Sequence, residues 1–298
     1  MKSALSCILL LYLILPSFTQ AESISVYSGL QHGQHHYLND SANLNTQIFG
    51  GEIDLSEWRY KQSGWLARGF TLEYQLGTDF NYINAQAPIF HWHKLQGLWF
   101  QVQLQNQSMD IELSSNETLL SDSGTTTALA AGSVLSAEHN LQTYSLYWYE
   151  AIQYKAPINL VGLFYYTESS PASGDITGLT ETIFDGAFNG FGITLGRIKD
   201  ERGLNFQWRL NLAELDMSFS DSTTGHRAAS KAESTAYKLG LKLNWHYRYY
   251  LAPYWYLVPQ VNIGINTVFQ TQMAPEALNY DALNYLEASS WVSIQRRF

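Results

Sequence analysis

The chain has 298 residues, with 17 Lys and Arg against 26 Asp and Glu, a net charge of −9 and a pI near 5.3. So acidic a protein is a poor candidate for binding nucleic acid. Its one cysteine, Cys7, excludes disulfide staples and Cys-rich zinc sites.

Met1 and Lys2 give a short cationic start, and residues 5–15 form an apolar run broken by Pro16, with Thr19-Gln20-Ala21 as small cleavage positions. The pattern is a secretory signal over residues 1–21, too short to span a bilayer, leaving a mature domain over 22–298. Loss of Lys2 with it takes the charge from −9 to −10.

Twelve strands are expected after it. The first, 23–30, is followed by a loop to residue 46, a weaker strand 47–60, a turn at 61–64 and a strand over 65–77. A short loop leads to 88–94, the weakest strand, and then to 98–113, where Leu98, Phe100, Val102 and Leu104 alternate with glutamines. A long Ser, Thr, Gly and Ala-rich loop over 114–140 precedes a hairpin of 141–154 and 158–167. Residues 168–186 read as loop, 187–198 and 204–219 as strands, and a phase change near Ala213-Glu214-Leu215 as a β-bulge. The strongest stretch is 237–249. Tyr237, Leu239, Leu241, Leu243, Trp245, Tyr247 and Tyr249 occupy every odd position, and small, polar or cationic residues every even one. Such alternation makes one strand with an oily and a wet face, and it excludes an amphipathic helix. After a turn at Pro253 come strands 256–269 and 285–298.

Two architectures fit alternating strands: an antiparallel sheet half exposed to water, or a barrel with its apolar face in lipid. Long connections alternate with short ones near residues 62, 95, 156, 201 and 252. That rhythm places both termini at the tight-turn end and favours an all-β, single, up-and-down transmembrane barrel of about 12 strands, with 10 as the alternative. Aromatics gather near the tight turns (Trp58, Tyr60, Trp65, Trp92, Tyr149, Tyr154 and 245–255), as an interfacial girdle requires.

The final segment ends on Phe298 in phase with Val292 and Ile294, while Arg296 interrupts the pattern. A terminal aromatic behind alternating apolar residues resembles the assembly signal of Gram-negative outer-membrane β-barrel proteins. The resemblance implies residence in the outer membrane, with termini periplasmic and long loops extracellular. It also implies outer-membrane lipid and the barrel-assembly machinery as partners, the latter through the C-terminal strand.

Barrel enzymes of this class resemble one another in a His-x-Ser pair or in alternating Asp-x-Asp and Asp-x-His groups, and none of these occurs here. A non-enzymatic role without cofactor is expected. His32, His35 and His36 are weak metal candidates, and His91 and His93 share a strand spacing; no carboxylate or cysteine completes either set. Asn116-Glu117-Thr118 is read as a chance sequon. With the apolar faces in lipid, the lumen would receive Arg209, Lys238, Lys242, His246, Arg248 and Arg297 against Glu73 and Glu287. These residues mark a narrow, mildly basic path for small anionic or polar solutes. A closed barrel that presents its loops or supports a partner is the chief rival, and a lipid-modifying enzyme the third reading.

Overall fold

The computed structural model describes residues 23–37, 40–54, 71–93, 96–114, 116–120, 126–150, 157–169, 172–176, 179–199, 204–221, 232–270 and 285–297. The signal segment, the 61–64 turn with Trp58, Tyr60 and Trp65, and Phe298 lie outside these residues.

Twelve strands form the wall: β1 (Ser23–Tyr37), β2 (Asp40–Asp54), β3 (Thr71–Leu76), β4 (Phe80–His93), β5 (Gln96–Glu112), β6 (Val134–Glu150), β7 (Leu160–Ser169), β8 (Leu179–Lys199), β9 (Leu204–Asp221), β10 (Ala232–Tyr247), β11 (Trp255–Gln270) and β12 (Tyr285–Arg297). Each pairs antiparallel with its sequence neighbours, and β1 pairs with β12 from Ser23↔Arg297 to His35↔Tyr285, closing the barrel. Closure satisfies every strand edge, the condition for crossing a bilayer with strands. Both described ends of the chain lie at one rim, the terminal end; the opposite rim is the far end.

Alternation sorts the wall into two faces. Phe49, Leu76, Leu163, Phe191, Leu212, Leu239, Ile263 and Val292 are exposed on the outside, as lipid-facing residues are. Outward aromatics gather at the terminal end in Trp148, Trp245, Tyr247, Tyr249, Tyr250 and Tyr254. Arg296 lies over the Trp255 ring at 5.5 Å, a position at the aromatic rim where a cation is at home. Its break in the apolar pattern is therefore the edge of the lipid belt.

The strands outrun the expected bounds at the far end. Residues 31–46 are not a loop: β1 and β2 run on in register to Tyr37↔Asp40. The 78–87 loop shrinks to a turn at Gly77–Asp79, and 80–93 is one strand, β4. Within 114–140, Glu117–Leu120 and Thr126–Leu129 form a separate hairpin before β6. Much of 168–186 is strand, including Ala172–Ile176, which pairs with both β8 and β6. Long and short connections accordingly do not alternate as expected, since only residues 38–39 join β1 to β2 whereas 55–70 join β2 to β3.

Nor is there a bulge at Ala213. The β9–β10 register runs unbroken through Ala213↔Lys238 and Leu215↔Ala236. What changes is which face is apolar. Beyond the lipid belt the lumen-facing positions become oily and buried, in Leu44, Ile48 (0% exposed), Phe80, Met109 and Leu113. The outward positions there become polar and exposed, in Asn43, Asn45, Gln47, Asn106, Asp110, Glu138, Gln142 and Glu214. A strand leaving lipid for water must exchange its faces, because the apolar side then has to point inward. The barrel also narrows there. β3 and β4 stop at their turn, and β2 reaches β5 directly at Ala42↔Ile111.

Glycines admit large rings onto the inner wall. A Cβ on Gly50 would lie 2.5 Å from the Tyr27 ring, and one on Gly192 2.4 Å from the Phe164 ring. At the closing seam, a Cβ on Gly29 would lie 2.1 Å from the Ser290 carbonyl oxygen and 2.4 Å from Trp291 Cβ. Replacing Gly29 with Ala is expected to destabilise the barrel by about 1–3 kcal/mol through overpacking. Ser28→Ala, on the exposed outer face, should stay within about 0.5 kcal/mol. Urea unfolding in detergent micelles reads both.

Candidate lumen site

Side chains from opposite walls meet inside the barrel, and they do so on two levels. Toward the far end, Lys238 Nζ of β10 donates to Glu168 Oε2 of β7. Glu168 Oε1 lies 2.7 Å from His139 Nε2 of β6, which donates to it in the tautomer protonated at that nitrogen. Lys238 Nζ is 3.3 Å from Tyr285 OH and 4.9 and 5.1 Å from the Tyr285 and Tyr166 ring centroids. The His139 and Tyr285 rings, from strands half the circumference apart, stand 5.2 Å from one another. His139, Glu168 and Lys238 are only 1, 5 and 7% exposed. The charges are thus dry, and they persist there because they neutralise one another.

Lys242, four residues or about 13 Å along the same strand toward the terminal end, has a different setting. Its lumen-facing side chain is solvent-exposed and its ammonium is 6.0 Å from the Tyr82 ring on β4, across the barrel. Here the wall is an amide lattice. Arg209 Nη1 donates to Gln101 Oε1 at 3.1 Å, Gln101 Nε2 to Asn84 Oδ1 at 2.8 Å, and Gln103 Nε2 to Tyr82 OH at 3.0 Å. Glu287 Oε1 accepts from Gln105 and Gln107, each at 2.7 Å, from β5 to β12. Glu73 Oε1 accepts from Tyr27 OH at 3.1 Å and Gln75 Nε2 at 2.9 Å.

Arg209, Lys238, Lys242 and Glu73 therefore all face the lumen, Lys238 on the dry level and the other three on the level below it. His246 falls on the same parity nearer the terminal end, with Nδ1 3.2 Å from Asn244 Oδ1. Arg248 is there too, a charged neighbour of Glu52, and Arg297 lies 5.9 Å from the Tyr256 ring. Two lumen-facing acids lie outside the set expected from sequence: Glu168, in the expected 168–186 loop, and Glu52, in the weaker strand 47–60. Extending the alternation of 160–166 by one step puts Glu168 inside, where it is 5% exposed. His32 and His36 share one parity of β1 and His35 the other, and His32 Nδ1 lies 2.6 Å from Asn45 Oδ1. Among the described residues no three ligating side chains are grouped. His91 and His93 fall within β4. Val292 and Ile294 face outward on β12, about half exposed.

A closed antiparallel barrel with an oily exterior and a polar interior defines a transmembrane β-barrel protein. No protein-family model matches the chain, and no curated protein is close enough in sequence to count as a relative. Solved structures with some likeness include the translocator domain of the autotransporter NalP from Neisseria meningitidis (11% identity, 99% of this chain and 96% of that one, TM-score 0.38). A Pseudomonas aeruginosa FadL homologue aligns at 10% identity over 93% and 90% of the two chains, with a TM-score of 0.35. The Escherichia coli outer-membrane protease OmpT aligns at 9% over 94% and 98%, with a TM-score of 0.30. At such values none of them bears on what this barrel does; its own wall and lumen must.

Removing one member of the dry knot leaves the other charge stranded. Glu168→Gln is expected to cost about 3–5 kcal/mol of stability, and Glu168→Gln with Lys238→Met to recover most of it. Urea unfolding of the micellar barrel measures both.

Proposed function

We propose that this barrel is a narrow outer-membrane channel for small polar solutes, closed across its far half in this conformation. The observation that carries the reading is Lys242, a lumen-facing cation whose side chain is exposed rather than packed against the wall. A purely structural barrel of this size gains nothing from a hydrated, charged interior, whereas a solute path needs one. Preference for anions alone finds less support, because Glu52, Glu73, Glu168 and Glu287 occupy lumen-facing positions beside Arg209, Lys238 and Lys242. The second reading, a closed barrel acting through its far-end surface, is favoured by the wall-to-wall contacts of His139 with Tyr285.

Under the same proposal the termini are periplasmic, the far end is extracellular, and β12 is the strand handed to the assembly machinery. Since the mature chain would contain no cysteine, an introduced one reports cleanly. Ala130→Cys should react with an impermeant maleimide on intact cells and Pro253→Cys should not; the reverse pattern inverts the barrel.

Planar-bilayer recording tests the channel. Native barrel should give small, infrequent current steps, and Glu168→Ala with Lys238→Ala should raise their frequency by removing the knot as a unit. Silence from both, with folding verified by heat-modifiable gel migration, would leave the closed barrel as the function.

A further inference from the structure

Two like-charge pairs stand in register on facing walls of the wet level. On β2 and β3, Glu52 is directly opposite Glu73. On β9 and β10, Arg209 is directly opposite Lys242. All four occupy lumen-facing positions, and β3 and β9 are six strands apart in a ring of twelve. Like charges directly opposed in a sheet repel and weaken it. A fold selected only for stability would interleave the signs, as the dry knot does with Glu168 and Lys238.

The two pairs do not cancel one another by contact, although Arg248 stands beside Glu52 as a charged neighbour. Among the described residues, no ion pair joins Glu52 or Glu73 to Arg209 or Lys242. Glu73 is held by Tyr27 and Gln75, Arg209 by Gln101, and Lys242 reaches into solvent over Tyr82. They are nonetheless within electrostatic reach, since Arg209, Glu73 and Glu287 are the charged neighbours of Lys242, and Glu73, Arg209 and Glu287 those of Tyr82. The result is a field directed from Arg209 and Lys242 on the β9–β10 wall toward Glu73 on the β2–β3 wall. Low-dielectric walls concentrate such a field.

A free anion in that field is drawn to one wall and repelled by the other, and so is a free cation. A small molecule with an ammonium at one end and a carboxylate or phosphate at the other meets attraction at both ends. We infer that the lumen selects small zwitterions, with the cationic end toward Glu73 and the anionic end toward Arg209 and Lys242. The inference rests on the channel reading and names its solute class.

Liposome swelling with purified, refolded barrel separates the two. The probes are β-alanine and its uncharged isomer lactamide, equal in size and formula. In native barrel β-alanine should enter several-fold faster than lactamide. In Arg209→Gln with Lys242→Gln the ratio of the two rates should fall to one. Those substitutions relieve repulsion, so the variant is expected to fold; Glu73→Gln on the opposite wall supplies an independent variant with the same expected loss. Equal rates in native barrel, or a ratio unchanged in both variants, would overturn the inference and leave the channel standing. Failure of either solute to enter, in native barrel and in the Glu168→Ala, Lys238→Ala barrel alike, would overturn the channel and the solute class with it.

Discussion

The meeting of the first strand with the last is the constraint from which the rest follows. Backbone amides in hydrocarbon have no water to bond, so a strand wall is viable in lipid only when it has no edge. Ser23 to His35 on one side and Tyr285 to Arg297 on the other meet this condition residue for residue. The seam accounts for local sequence that is otherwise unremarked. Gly29 leaves no room for a methyl group, and Tyr27 and Trp291 stack across it with ring centroids 5.1 Å apart. Closure in turn creates an inside, and everything chemical about the protein is a property of that inside.

The bilayer sets a second boundary along the strand axis. Within the lipid belt the outward face must be oily and the lumen is free to be polar. Above it both requirements reverse, and β5 and β6, which carry Phe100 and Leu146 outward, carry Asn106 and Glu138 outward further on. Ile48 and Met109 then fill the interior as they would in a water-soluble barrel. The dry knot of His139, Glu168 and Lys238 lies on the barrel axis toward this packed region, with the solvated Lys242 on the other side. One chain thus joins a membrane barrel to a soluble one without changing its hydrogen-bond ladder.

Most of the wall was readable from alternation alone, because lipid imposes a strict period of two. The 237–249 stretch assigned Lys238 and Lys242 to the lumen without help from any neighbour. Reading failed where the period stayed at two but the meaning of its faces reversed. The change of phase near Ala213-Glu214-Leu215 reads as a β-bulge, although the register there is unbroken and Ala213 is buried while Glu214 is exposed. The polar positions of 31–46 looked like a loop for the same reason, since a strand whose outward side chains are His, Gln and Asn offers no apolar row to recognise. Glu168 was lost in this way, and with it the partner of Lys238. Pairings across the lumen, such as Glu287 with Gln105 and Gln107, had no local signal, because they join residues 180 and 182 apart in the chain.

The lumen contains two electrostatic arrangements, and the contrast between them is informative. In the knot, opposite charges touch and are excluded from water, which favours a single closed geometry but gains little over a well-packed apolar plug. An apolar plug could not be released by hydration, however, whereas a separated ion pair is stabilised by the water that separates it. At the wet level, Arg209 adjoins Lys242 on one wall and Glu52 adjoins Glu73 on another, an arrangement that weakens the sheet where like charges face. On the proposed channel reading, the closed state and the solute site use the same residue types, Glu, Lys and Arg, and differ in whether the partner is part of the chain. A buried charge matched by its own protein would then close the lumen, and a charge left for a solute would open a place for one.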